Sequence, residues 1–174
     1  MVSAWLDDLL SFRARKDAHF ASGRGPLPKD GSFDGLTYFA PDPAWNLSLE
    51  VQRLPAEAAE LATSTQGEVQ RFVTWGEVGL PNGERLTLYA REGDDAPATL
   101  FVPFRDATSG KATYGAGRYL DAPLSGHQVT LDFNRGYHPF CAYSEAWTCP
   151  LPPAANWLRG AVEAGEKLAG ESAS

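Results

Sequence analysis

Hydrophobic positions along this chain fall into two rhythms, one confined to the start and another running through most of the remaining length. From about Ser3 to Ala21 the period is helical: Trp5, Leu9 and Phe12 fall at i, i+4 and i+7, with Leu6 and Phe20 near the same face. Ser3 is placed to cap this helix, Asp7 and Asp8 lie toward its positive end, and Ser22-Gly23 before Pro26 ends it. The stripe is expected to pack on the protein's own sheet rather than on a partner.

Beyond the turn-rich segment Gly25 to Gly35 the period changes to two. Trp45, Leu47, Leu49 and Val51 alternate with Asn46, Ser48, Glu50 and Gln52, as in a strand with one wet face. Val69 to Leu80 predicts a strand bulged at Gly76, and Pro81-Asn82-Gly83 a tight hairpin into a strand from Arg85 to Arg91. Ala98 to Arg105 is a further strand, which Pro103 directs to an edge or a strand end. Thr113 to Leu120 reads as extended but broken by Gly115 and Gly117, and His127 to Phe133 alternates again. The run AEAAELA after Pro55 is read as loop or strand, a last short strand is expected within Leu158 to Gly165, and the residues beyond Lys167 as loose.

One helix and about six to eight short strands, without a βαβ rhythm, predict a mainly β protein. The sheet is expected to be antiparallel, either a partly closed barrel or a two-layer sandwich, with the N-terminal helix packed on it. No repeat or linker divides the 174 residues, so a single domain is expected, with the helix at about 3–21 and the β part at about 33–167.

Seventeen glycines and thirteen prolines agree with many turns and short strands. The formal charge of −7 comes with scattered arginines and no basic stripe to displace counterions from phosphates, so nucleic acid is not an expected partner. No apolar run approaches the roughly twenty residues of a membrane helix, so no membrane partner is expected either. The opening MVSAWLDDLLSFRARK has acids within its apolar part and bases after it, the reverse of a secretory signal, and a cytoplasmic location is expected. Two cysteines do not make a disulfide scaffold in a chain of this length; both are expected to be reduced thiols.

Candidate chemistry concentrates in Leu131 to Pro153, LDFNRGYHPFCAYSEAWTCPLPP. Three arrangements are open. His138, Cys141 and Cys149, with Asp132 or His127, offer zinc-ligand atoms, although the H-x2-C-x7-C spacing lacks the short cysteine pair of a knuckle. Cys141 with His138 offers a thiolate–imidazole pair, oriented by Asp132 or Asn134. Tyr114, Arg118, Asp132, Asn134 and Tyr137 fall on two segments that antiparallel pairing can bring together, and the Arg118 fork suits a carboxylate: Asp132 within the protein, or an anionic ligand. Gly115 and Gly117 would admit a ligand or a neighbouring strand, but GAG is not a phosphate loop without a strand before it and a helix after it. Trp75, Trp147 and Trp157 are expected in packing roles, and His19 as a solvated or capping residue.

The order of motifs resembles the DUF1684 family. It is carried by WLDDLLSFRARKDAHF, FDGLTYFAPDPAW, LFVPFRDATSGKATYGAGRYLD, LDFNRGYHPFCAYSEAWTCPLPPAANWL and the closing EAGEK. The resemblance implies no activity and no cofactor. The family motif has Asn where this chain has His138, which weighs against a zinc or Cys–His centre as a family trait; Cys141, Cys149, Thr113, Tyr114, Gly117, Arg118, Asp132, Asn134 and Tyr137 match it. Ala155 stands where the family commonly has Glu, which removes that carboxylate as a catalytic group here. The expectation is a binding domain for a small polar or anionic molecule near Arg118, Asp132, Asn134 and Tyr137. The alternatives are a hydrolase-type enzyme built on Cys141 or on a metal, and a protein-interaction scaffold with no small-molecule site.

Overall fold

The computed structural model describes residues 2–22, 36–139, 142 and 148–168. Helix α1 spans Val2–Ala21. Among the described residues ten strands come after it: β1 Thr37–Tyr38, β2 Asn46–Glu50, β3 Gln52–Arg53, β4 Ala58–Ala62, β5 Val69–Gly79, β6 Arg85–Arg91, β7 Thr99–Phe104, β8 Arg118–Ser125, β9 Gln128–Asp132 and β10 Glu166–Lys167. Eight form one antiparallel sheet in the order β2-β9-β8-β7-β6-β5-β3, with β4 also on β5, while β1 and β10 make a two-stranded sheet.

The sheet curls into a nearly closed barrel because β2 and β3 are consecutive in the chain, separated only by Val51. The first pairs with β9 and the second with β5, so the two ends of the strand order meet. Gly76 makes the seam possible. It sits at the predicted bulge, opposite Arg53, and a Cβ there would stand 2.4 Å from Val51 Cγ1 and 3.0 Å from the Gln52 carbonyl. Gly76→Ala is therefore expected to lower stability by about 1–3 kcal/mol through overpacking. Equilibrium urea unfolding measures it, and an unshifted midpoint would mean that the seam yields at no cost.

The interior obeys the two-residue period. Leu86 and Leu88 of β6, Leu100, Val102 and Phe104 of β7, Leu120 and Ala122 of β8, and Val129 and Leu131 of β9 are buried in one cluster with Phe133. Within the AEAAELA segment Ala58–Ala62 is a strand, β4. The turn after β5 closes as expected, Leu80 N–H donating to the Glu84 carbonyl at 2.7 Å and Gly83 taking φ 90°. Two expectations shift. Regular strand begins only at Arg118, not Thr113. The last strand is Glu166–Lys167, while the Leu158 to Gly165 segment instead adds Leu158, Val162 and Ala164 to the core. Residues 169–174, expected to be loose, lie outside the described residues.

Helix α1 meets the barrel through a stripe that mixes apolar and charged groups. Among its described side chains Leu9, Arg13 and Phe20 are the buried positions, and Trp5 and Phe12 are only half-buried. Arg13 donates to the Asn134 carbonyl at 3.2 Å, Trp5 Nε1 to Asp132 at 2.7 Å, and Lys16 pairs with the buried Glu166. The helix starts at Val2, so Ser3 lies within it rather than before it, and no acid occupies its first turn. Among the described residues no helix is long and apolar enough to cross a membrane.

Candidate functional site

The two segments expected to meet do meet. Tyr119 and Tyr137 exchange backbone hydrogen bonds of 2.7 and 2.9 Å, and the Tyr114 N–H donates to His138 Nε2 at 3.3 Å. Arg118, however, faces into the barrel and is 0% exposed. Its Nη1 donates to the carbonyls of Ala164 at 2.6 Å and Glu166 at 3.1 Å, and its Nη2 to the Val162 carbonyl at 2.8 Å and to Asp106 at 3.4 Å. The expected partner was Asp132; the observed one is Asp106, which also accepts from Thr108 Oγ1 and from the Val162 N–H at 2.6 Å. Burial lowers the Arg118 pKa and Asp106 opposes that shift. The guanidinium fastens the C-terminal segment, while its Nε is buried without a hydrogen-bond partner among the described residues.

The other expected site residues divide. Asp132 receives Trp5 Nε1 together with the N–H and Nδ2 of Asn134, and fully buried Asn134 exchanges hydrogen bonds of 2.8 Å with the Asp42 backbone. Both hold the end of β9 to its neighbours. Tyr114 lies edge-on to the His138 ring at 6.5 Å. Gly117, at φ 109°, admits a neighbouring strand and not a ligand, since a Cβ would stand 2.5 Å from the Phe104 carbonyl. His138 is 1% exposed, and burial, with help from Arg118 and Lys16, holds its pKa down to about 3. Its Nε2 lone pair is engaged by the Tyr114 N–H, which leaves that nitrogen poorly disposed to ligate a metal or to accept a thiol proton. Cys141, needed for both of those arrangements and for the redox expectation, lies outside the described residues, as does Trp147. Among the described residues no three His, Cys, Asp or Glu side chains gather as a metal site.

Tyr137 leads to a different place. The outward positions of β5 to β8 should face water, yet they carry Phe72, Tyr89, Phe101 and Tyr119. Phe72 and Phe101 stack at 5.1 Å with 19° between their planes, and Tyr119 meets Phe101 edge-on at 4.8 Å and Tyr137 at 5.7 Å. These rings floor a hollow of about 480 Å³, walled by Pro139, Cys149 and Pro150 from the C-terminal stretch, with Gln70, Arg91, Asp94, Thr99 and Asp121 around it. Tyr119 hydroxyl donates to the Pro150 carbonyl, which fixes that wall. Tyr137 hydroxyl donates to Asp121 at 2.8 Å, and burial, then Asp121, raises its pKa well above the ordinary phenol value. Tyr89 is 4% exposed, and among the described residues its hydroxyl has no hydrogen-bond partner. Two further hollows, of about 520 and 480 Å³, run beneath α1 and share Asp121 and Tyr137 with the first.

Of the five residues expected to form the site, only Tyr137 lines this hollow. A signal for the rest was present in the strand sequences. TLFVPF and RLTLYAR put large apolar or aromatic side chains on both faces, which a strand with one wet face does not do. Among the tryptophans, Trp75 packs against the core as expected, with Arg53 stacked 3.5 Å from its ring centroid. Trp157 departs from expectation at 53% exposure, with Arg105 over its ring at 4.8 Å.

Comparison with known proteins agrees with this fold. The model of the family described as "Protein of unknown function (DUF1684)" matches residues 31–167. The solution NMR structure of an uncharacterised protein from Haloarcula marismortui superposes with a TM-score of 0.74 at 37% identity, covering 98% of each chain. No curated protein matches the chain.

Proposed function

The chain belongs to the DUF1684 family, and from that premise we propose that it is a small-molecule-binding barrel whose site is the aromatic hollow on the outer face of β5 to β8. The observation that carries the proposal is the Tyr89 hydroxyl, on a buried residue beside an open hollow and without a partner among the described residues. The hydroxyl opens onto the hollow rather than into the core, so a guest or water can bond it there. The volume suits a small ligand, and an aromatic floor with a few polar groups around it is the usual make-up of such sites. The ligand is a small polar molecule with a flat or apolar body. A preference for anions rested on Arg118, and that guanidinium is sealed in the interior.

Thermal-shift measurements over a panel of small polar metabolites test the proposal, because a compound that binds the folded state raises its melting temperature. At least one compound should stabilise the wild type, and Phe101→Ala should weaken its binding about tenfold or more. Tyr89→Phe should also weaken it, while leaving the unliganded midpoint unchanged or higher, since a hydroxyl without a partner contributes nothing to the free fold. A panel that leaves the wild-type midpoint unmoved would sink the proposal.

A further inference from the structure

We infer that the guest of the aromatic hollow is a small organic cation, an alkyl or quaternary ammonium, with Asp121 as its counter-ion; this rests on the hollow being a binding site. Three features point the same way. The first is the floor. The faces of aromatic rings carry partial negative charge and attract cations, most strongly where water is excluded. Phe72, Tyr89, Phe101, Tyr119 and Tyr137 all line this hollow, so a guest in it lies against aromatic rings.

The second is the charge around it. Asp94 and Asp121 stand at the hollow against a single guanidinium, Arg91, in a chain of formal charge −7. One Asp121 oxygen accepts from Tyr137 at 2.8 Å, and among the described residues the other has no partner. With Arg91 set against the two carboxylates, one negative charge remains in excess at the hollow, which favours an ammonium over a carboxylate or phosphate guest. The third is the fold's own use of these rings. Lys16 Nζ stands 4.6 Å from the Tyr137 centroid, so this aromatic group already carries one cation, on its helix side. The Tyr89 hydroxyl, which opens onto the hollow, then serves a polar substituent of the guest, such as an alcohol.

The test uses the full chain and three probes in calorimetric titration: choline, its neutral carbon isostere 3,3-dimethylbutan-1-ol, and benzoate. Choline should bind, and the neutral isostere should bind about tenfold more weakly or worse. Asp121→Asn, which keeps an acceptor for Tyr137, should weaken choline about tenfold, whereas Arg91→Gln, at an exposed position, should strengthen it. Phe101→Leu should weaken choline more than it weakens the isostere, since the aliphatic residue keeps the area and loses the ring face. If the isostere binds as well as choline, or benzoate binds best and Asp121→Asn strengthens it, the cation inference is overturned while the hollow stands as a site. If none of the three probes binds, the cation inference is overturned, and the metabolite panel decides whether the hollow is a site.

Discussion

Arg118→Met is expected to cost about 3–5 kcal/mol of folding stability, a large fraction of what a domain of this size possesses. Methionine fills similar space, so the loss comes from the groups left behind. The carbonyls of Val162, Ala164 and Glu166 lose their donor, and Asp106 loses its only cationic partner among the described residues, all in a dry interior. Glu166 on the same segment receives Lys16 of α1 and the His138 N–H, so the helix should loosen with the C-terminal segment. Urea unfolding gives the magnitude, and limited proteolysis locates the loosening. Arg118→Lys should fare little better, because an ammonium cannot span four acceptors spread along a fork. Adding Asp106→Asn to Arg118→Met should cost less than the sum of the two, as expected of groups that act on one another. A loss below about 1 kcal/mol for Arg118→Met would show that this network is not what secures the C-terminal segment.

Acid should destabilise the protein through His138. Well above pH 6.5 the imidazole is neutral whether the chain is folded or not, and it adds nothing to the pH dependence. Below that, the unfolded chain takes up a proton that the folded protein refuses until about pH 3, because the buried ring would have to charge beside Arg118 and Lys16. The folded state then binds fewer protons than the unfolded one, so stability falls as pH falls across that window. The slope from this one group approaches about 1.4 kcal/mol per pH unit. His138→Gln, which has no proton to gain, should remove that part of the slope between pH 6 and 4. Unfolding free energies measured at several pH values in wild type and variant decide it, and parallel curves would exclude His138 as the source.

What was legible in the sequence depended on local rules. The strict alternation in NLSLE and HQVTLDF, the helical spacing at the start, and the Pro-Asn-Gly turn each come from backbone geometry and from the need to turn one face inward. Such signals survive without knowledge of neighbours. Gly76 was legible for the same reason, as a residue without a side chain in the middle of a strand. The partner of Arg118 was not. Asp132 and Asp106 are both acids near strand ends, and only the inward turn of β8 and the return of residues 162–166 selected Asp106. Nor did spacing reveal that Arg13 lies on the buried side of α1, since a helix period marks apolar residues and passes over a cation whose hydrogen bonds are supplied from another element.

By itself, then, the order of residues determined the class of fold, the helix, most strands and the bulge at which the barrel closes, because each of these is set by short-range sterics and by the two-fold or 3.6-fold placement of apolar groups. The tertiary structure alone decided where an open hollow forms. A hollow exists on the outer face of β5 to β8 because Pro139, Cys149 and Pro150 return across rings that their own strands leave uncovered. That return depends on contacts between residues tens of positions apart, which no local pattern encodes.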